Sequence, residues 1–483
     1  MRILVVLRVV AVLLLIVSVF LLLPVLVAML YHEDSIIWSF LAPMVLVWLV
    51  CVPILLLTGR AQGATISNKG GYLLVSSGWI LAAAFSALPF FLSGAIPHYT
   101  DAFFETMSGY TTTGASILTN IEALPKAMLF WRSLTHWLGG MGIVVLTVAV
   151  FPLLGIGGLQ LVKAEAPGPT VDKITPKITS TAKILWLIYV LMTVAEIILL
   201  MFGGMSLFDA ATHTFGTVAT GGFSPRNASV GSYHSGYIDV VITVFMMLAG
   251  MNFLLYYRAV IGDFRSVMRN SELRTYVGIF VVAALLIALN LDGHTYHSFG
   301  RSLRFASFQA ASILTTTGFT TTNYATWPVF SQVVLFVLMF VGGSTGSTGG
   351  GIKVARIVIL LKQGVNEMRY LLHPRGIFSM KLSGLNLRKD IVYTVTGFVF
   401  LYLFVLFITT LVVASGGNDI LTSLTAALAT LGNIGPGFGK VGPVSNYAYL
   451  PTYIKWFLSF SMVVGRLEIY TVLVIFTRTF WKR

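Results

Sequence analysis

Long apolar runs alternate with short polar stretches along the whole chain. Ten runs are long enough to read as membrane-crossing helices, at roughly residues 3–30, 37–58, 72–97, 128–152, 184–203, 236–257, 275–292, 329–350, 391–415 and 452–477. A crossing takes about 20 apolar residues at a rise of about 1.5 Å each. Four connections between them, the third to fourth, fifth to sixth, seventh to eighth and ninth to tenth, hold a short semi-apolar stretch ending in Thr and Gly. Such a stretch is too short to cross and predicts a helix that enters the bilayer and returns. The first run is too long for a signal-peptide core and lacks a small-x-small cleavage site, so it reads as a retained helix.

The four connections superpose. The first runs from Asp101 through Thr111-Thr-Thr-Gly114 and the second from Asp209 through Thr217-Val-Ala-Thr-Gly221. The third runs from Ser302 through Thr315-Thr-Thr-Gly318 and the fourth from Asp419 through Gly432-Asn-Ile-Gly435. Each following run carries a further glycine, at Gly140, Gly250, Gly343 and Gly465, with offsets of 26, 29, 25 and 30 residues. Four copies of one ordered pattern are a repeat architecture. The predicted fold is an all-α polytopic membrane protein with two N-terminal helices and four helix–pore loop–helix repeats in pseudo-fourfold symmetry. The expected boundaries are 1–70 for the N-terminal pair, then 71–160, 161–262, 263–385 and 386–483 for the repeats.

Composition agrees with lipid as the main solvent: 57% of the 483 residues are hydrophobic and 10% charged, against roughly 25% charged in soluble domains. The net charge of +14 raises nucleic-acid binding as a possibility. The distribution of basic residues points instead to the positive-inside rule. With the N-terminus in the cytoplasm, 23 of the 31 Lys and Arg residues fall on that side, including four Lys within 153–183, four Arg within 258–274 and eight basic residues within 353–389. Only six acids accompany them: Glu165, Asp172, Asp263, Glu272, Glu367 and Asp390. Both termini are therefore expected in the cytoplasm, with the pore loops facing outward. The single Cys51 excludes an intrachain disulfide or cysteine metal cluster.

A cation that sheds water needs several oxygens at once, and inward-turned backbone carbonyls beside glycine supply them. The predicted filter residues are Thr112, Thr113 and Gly114; Ala219, Thr220 and Gly221; Thr316, Thr317 and Gly318; and Asn433, Ile434 and Gly435. Threonine hydroxyls there can satisfy stray donors or ligate the ion. Asp101, Asp209, Ser302 and Asp419 are expected N-caps, so that the negative helix ends point at the centre.

A second feature follows the third loop: Gly342-Gly-Ser-Thr-Gly-Ser-Thr-Gly-Gly-Gly351, a run that no helix survives unsupported. Its likeness to a phosphate-binding loop fails because Ile352 separates Gly351 from Lys353, and its likeness to a nucleophile elbow fails because no strand precedes it. A broken helix lining a cavity can act as a gate. Arg466 lies within the tenth run, where an unpaired charge costs at least about 2.5 kcal/mol. Its options are a structural pairing with Glu468 or a carbonyl, or a fixed positive charge beneath the filter. Glu196 lies mid-span without an assigned role, and His136 and His213 read as packed rather than metal-ligating, since no second ligand stands at a fixed spacing.

With Thr111-Thr-Thr-Gly-Ala-Ser116, Thr217-Val-Ala-Thr-Gly-Gly-Phe-Ser224, Thr315-Thr-Thr-Gly-Phe-Thr320, Leu431-Gly-Asn-Ile-Gly-Pro436 and Gly343-Ser-Thr-Gly-Ser-Thr-Gly-Gly-Gly-Ile-Lys353, the chain resembles the TrkH family of bacterial potassium uptake systems, within the Trk/Ktr/HKT superfamily. In that family a glycine in the first loop goes with potassium selectivity and serine with sodium permeation, so Gly114 implies potassium bound at the filter. The resemblance implies an inner-membrane location and a gate below the filter at Gly343, Ser344, Thr345, Gly346, Ser347, Thr348, Gly349, Gly350, Gly351, Lys353 and Arg466. It also implies a homodimer in membrane lipid, docked on a cytosolic TrkA-like regulatory subunit that holds NAD and ATP. No covalent cofactor, nucleic-acid partner or dinucleotide fingerprint is expected on this chain. The fourth loop departs from the Thr-Thr-Gly pattern, so symmetry can only be approximate. An ion-coupled secondary transporter is the alternative, although the repeats read as parallel rather than inverted. A membrane enzyme is disfavoured by the lack of a His-Glu-x-x-His motif, paired carboxylates or a nucleophile triad.

Overall fold

The computed structural model describes residues 3–59, 67–142, 178–376, 378–382, 385, 386 and 389–482. The expected end of the fourth crossing, the 160/161 boundary, and Arg2, Arg60, Lys163, Lys173, Lys177, Glu165, Asp172, Arg388 and Arg483 lie outside the described residues. The N-terminal pair is Ile3–Phe20 (α1) with Leu22–Leu30 (α2), followed by Ile37–Leu57 (α3). The break at Leu21 follows from Pro24, whose missing N–H leaves the Phe20 carbonyl without its helical partner. Asn68–Ser86 (α4) and Leu88–Leu92 (α5) part at Ala87 for the same reason, through Pro89.

Tyr99–Tyr110 (α6) and Lys126–Trp137 (α7) follow, the latter passing into a π-turn at Leu138–Gly142. Next come Ile178–Phe202 (α8), Leu207–Val218 (α9), Gly236–Ala249 (α10), Phe253–Val260 (α11) and Phe264–Arg269 (α12). Ser271–Leu291 (α13), Phe299–Leu314 (α14), Val329–Leu338 (α15) and Val354–Leu372 (α16) precede a small antiparallel pair, Lys381–Leu382 (β1) with Leu385–Asn386 (β2). Lys389–Ala414 (α17), Ile420–Leu431 (α18), Thr452–Arg466 (α19), Ile469–Leu473 (α20) and Arg478–Trp481 (α21) complete the chain.

Among the described residues six helices are long and apolar enough to cross a membrane, or eight if two bent pairs each count as one crossing. The chain is thus a multi-pass, all-helical membrane protein apart from the small β pair. The ten expected crossings need correcting in their second members. The run 236–257 bends by 94° between α10 and α11, and 452–477 bends by 117° after Arg466. The run 329–350 is helical only to Leu338. Helical pattern persists through each run, but glycine and a side-chain cap end the helix: Asn252 accepts from the Leu254 N–H at 2.9 Å to start α11 afresh.

The expected N-caps are also corrected. Only Asp419 caps its helix, accepting from the Thr422 N–H at 3.2 Å. Ser206 caps α9 in place of Asp209, while Asp101 and Ser302 lie inside the first turns of α6 and α14. The displaced acids instead join segments of the chain. Asp101 pairs with Lys455 at 2.7 Å, tying α6 to α19, and Asp209 pairs with Arg226 at 2.9 Å. Asp239 of α10 meets Arg304 of α14 at 2.7 Å.

The most buried of these pairs is Glu105–Arg132 at 2.7 Å, with side chains 0% and 2% exposed. Glu105 also accepts from the Ser116 hydroxyl and the Ile117 N–H, both at 2.9 Å, and Arg132 donates to the Ser224 carbonyl at 3.0 Å. Every charge is partnered, so removing one partner strands the other. Arg132→Ala is expected to cost about 3–5 kcal/mol. Thermal unfolding in detergent checks this: the Glu105→Ala/Arg132→Ala double variant should lose far less than the two single losses added.

Candidate functional site

Helices α6, α9, α14 and α18 end in one backbone motif. One residue beyond each C-cap the chain turns left-handed, at Thr112 (φ 50°), Thr220 (φ 55°), Thr316 (φ 59°) and Asn433 (φ 53°). Two residues later it does so again, at Gly114 (78°), Gly222 (81°), Gly318 (84°) and Gly435 (95°). The N–H groups of the first set bond three residues back, to Gly109, Thr217, Ile313 and Thr430, at 2.9–3.3 Å. The next N–H groups, of Thr113, Gly221, Thr317 and Ile434, bond five residues back at 2.7–2.9 Å. These bonds cap carbonyls of the last helical turn.

This geometry shifts the second loop by one residue from its expected register. Gly222, not Gly221, matches Gly114, and Gly221 matches Thr113. Counting to the first glycine misaligned the loop, because the position that demands glycine is the second left-handed one. The doublet Gly221-Gly222 was the visible signal. Gly221 answers to a different constraint: a Cβ there would strike the His136 ring.

The four turns close on one another. A Cβ on Gly114 would overlap the Gly221 carbonyl oxygen, on Gly222 that of Thr317, and on Gly318 that of Ile434. On Gly435 it would stand 2.7 Å from the Thr113 oxygen, which returns to the first turn. Each glycine thus meets the carbonyl just before the next loop's glycine, in the cyclic order one, two, three, four, one.

Side chains brace the ring from behind. Thr111 and Thr113 hydroxyls bond at 2.8 Å, Thr315 and Thr317 at 2.7 Å, and Asn433 Nδ2 donates to Thr113 Oγ1 at 2.9 Å. His136 contacts the Gly109 carbonyl through Nδ1 at 2.8 Å and stacks on Phe223. His213 lies between the Asp209 carbonyl and the Ser224 hydroxyl. Tyr447 donates to the Gly435 carbonyl at 2.8 Å. At the far end of α18, hydrogen bonds from the Thr422 side chain and backbone hold the Asp419 carboxyl below its usual range.

The glycine run from Gly342 to Gly351 lies against the side of the ring where the helix C-termini gather. A parallel bridge between Val341 and Ile352 closes its base. Thr348 Oγ1 donates towards the Val218 and Ala249 carbonyls, both at 3.2 Å, and the Gly350 N–H donates to Thr316 Oγ1 at 2.6 Å. A Cβ on Gly350 would overlap the Gly432 carbonyl, and one on Gly349 would lie 3.0 Å from the Thr315 carbonyl. Arg466 donates to the Thr348 carbonyl at 2.6 Å and to the Gly139 and Gly140 carbonyls at 2.9 and 2.8 Å. Lys353 Nζ reaches the Gly349 carbonyl. Through these contacts the run meets elements at the second, third and fourth turns directly, and Arg466 links it to Gly139 and Gly140 beyond the first. Carbonyls from the loop and from beyond the first turn hold the Arg466 guanidinium, as in the structural pairing expected for it, and Glu468 pairs with Arg356. Gly343, Ser344, Thr345, Gly346, Ser347 and Gly351 complete the same loop. Sequence reasoning missed Gly222 and Glu272, the latter an acid at the start of α13 that accepts from the Thr345 N–H at 2.6 Å.

Gly222 and Gly204 separate two costs. Both have positive φ, but a Cβ on Gly204 meets nothing within 4 Å, whereas one on Gly222 meets the Thr317 carbonyl. Gly204→Ala should cost only the left-handed penalty of about 1–2 kcal/mol. Gly222→Ala should lower the unfolding temperature further, and Gly221→Ala should do so through His136.

The TrkH family model, described as a cation transport protein, matches residues 44–482. The chain is 41% identical over 480 residues to the Trk system potassium uptake protein TrkH of Salmonella typhimurium, covering 98% of each. It is 42% identical over 428 residues to the protein of that name from Escherichia coli K12, covering 88% of each. The crystal structure of the potassium transporter TrkH from Vibrio parahaemolyticus superposes with a TM-score of 0.88 at 38% identity, covering both chains fully. On this similarity, and on the helical fold that accompanies it, the chain belongs to the TrkH family of cation transport proteins.

Proposed function

We propose that this protein carries potassium into the bacterial cell across the inner membrane, through a pore on the axis of the four turns. The observation that carries the reading is the cyclic closure of the turns, which sets four equivalent strands of backbone around one axis. Inward-turned carbonyls replace an ion's hydration shell without fixed charge, which suits a weakly hydrated monovalent cation. The C-terminal ends of α6, α9, α14 and α18 add partial negative charge at the same depth. The relatives named as potassium uptake proteins and the glycine at Gly114 support potassium as the ion.

In this reading, residues 71–160, 161–262, 263–385 and 386–483 are four pore repeats behind an N-terminal segment, 1–70. The filter comprises Thr112 to Gly114, Thr220 to Gly222, Thr316 to Gly318 and Asn433 to Gly435, with Ala219 at the helix end. The run Gly343 to Gly351, with Lys353 and Arg466, is the gate. It stands across the axis beneath the filter, and Arg466 pins it while placing positive charge that speeds release of an ion inward. Both termini lie in the cytoplasm. The chain works as a homodimer, and the nucleotides NAD and ATP act on a TrkA-like regulatory subunit rather than on this chain. Catalysis of a covalent reaction forms no part of this function.

Potassium and sodium flux into proteoliposomes tests the ion. The native chain should pass potassium and largely exclude sodium, and Gly114→Ser should raise sodium passage at least several-fold; equal passage of both ions by the native chain would sink the assignment. Arg466→Ala, which frees the Thr348, Gly139 and Gly140 carbonyls, should raise potassium flux in the absence of any regulatory subunit, and unchanged flux in a folded variant would count against the gate.

A further inference from the structure

The glycine-rich loop is held at two adjacent residues by the two ends of one segment. Gly346 offers its carbonyl to the Phe253 N–H at 3.1 Å, at the first residue of α11. Thr345 gives its N–H to Glu272 Oε1 at 2.6 Å, in the first turn of α13. The segment from 253 to 272 therefore leaves the loop at Gly346, runs through α11 and α12, and returns one residue away at Thr345. The same Glu272 oxygen accepts from the Ala355 N–H at 3.2 Å, in the first turn of α16, where the helix resumes after the loop. One carboxylate oxygen thus joins the loop to the helix beyond it, and Glu272 is only 8% exposed.

We propose that Glu272 is the latch of this loop and that segment 253–272 is the lever that works it; the proposal rests on the gate reading above. The reasoning is geometric. Three backbone groups at the loop, the Thr345 and Ala355 N–H groups and the Gly346 carbonyl, find their partners on this one segment. Withdrawing α13 by about the length of a hydrogen bond would break two charge-assisted bonds together and leave two buried N–H groups unpaired, so release would be abrupt rather than graded. The segment also has a face by which to be moved. Arg265 and Arg269 lie on or beside α12, with Val260, Ile261, Phe264 and Met268 strongly exposed around it. Motion of α12 is transmitted to both loop contacts because the segment begins at one and ends at the other. Among the described residues Glu272 makes its hydrogen bonds to Thr345 and Ala355 rather than to the ring, which makes it a positioning residue.

The test reads the loop directly. Ser344 is 1% exposed, and its hydroxyl makes no hydrogen bond among the described residues, so Ser344→Cys in a Cys51→Ala background places a reporter thiol on the loop and serves as the parent for each comparison. Labelling by a membrane-impermeant maleimide and potassium flux are measured in proteoliposomes holding the full chain alone. Glu272→Ala should raise the labelling rate and the flux roughly tenfold or more, while Glu272→Gln, which keeps an acceptor oxygen without charge, should fall between it and the parent. Parental labelling in both variants would overturn the latch, whatever the flux. Deletion of 344–349 in a separate protein isolates the underlying reading: if it leaves flux unchanged the loop is no gate, whereas raised flux with parental labelling of the Glu272 variants removes the latch alone. If Glu272→Ala fails to fold, Glu272→Gln carries the same comparison.

Discussion

Four helices end inside the molecule with their last carbonyls directed at a common centre. Aligned peptide dipoles place roughly half a negative charge at each such end, and irregular backbone at membrane depth survives only when its polar groups are satisfied by protein or water. Both demands fall on the same few residues. The left-handed turns answer the second demand by folding N–H groups back onto the final helical turn, and glycine at each second left-handed position leaves room for the carbonyl of the neighbouring turn. On the remaining side Arg466 and Lys353 bring positive charge to carbonyls that would otherwise face one another. The interior is thus arranged around concentrated negative potential, with the residues nearest it chosen for small size or cationic charge.

Assembly around that centre depends on polar contacts that run between segments far apart in sequence. Asp101–Lys455, Asp239–Arg304 and Arg132 with the Ser224 carbonyl each join elements adjoining different turns. Tyr324 adds a fourth such link through the Gly437 carbonyl at 3.0 Å. Helix packing in lipid has little hydrophobic drive, so directional contacts and small residues decide which surfaces meet. Their placement around the ring resists the outward spreading that the converging dipoles favour.

Much of this was legible in the sequence, for a physical reason. Bilayer thickness sets the length of an apolar run, so the crossings were visible, and the demand for left-handed backbone left Gly114, Gly318 and Gly435 in plain view. What failed was position within a motif. The second turn was misplaced by one residue because a doublet, Gly221-Gly222, offers two glycines to a pattern that needs one at the left-handed site. Helix starts at α6 and α9 were misplaced because acids near a helix N-terminus look alike whether they cap it or pair with a distant cation, and at α14 because Ser302, one turn inside, resembles a cap. The bends after Ala249 and Arg466 were hidden because hydropathy does not sense direction. Glu272 left no readable trace, since its partners are backbone groups more than 70 residues away in sequence.

The glycine-rich loop follows the third turn, yet it also contacts elements beside the second and fourth and is linked to the first through Arg466. An assembly of four identical subunits could not be built this way, since symmetry would bring four such loops to a space that holds one. Joining the repeats into a single polypeptide lifts that restriction. Once each quarter is encoded separately, one can carry the loop, another the arginine that braces it, and a third the carbonyls that receive that arginine. A single polypeptide is thus what makes one off-centre loop compatible with a ring of near-fourfold form.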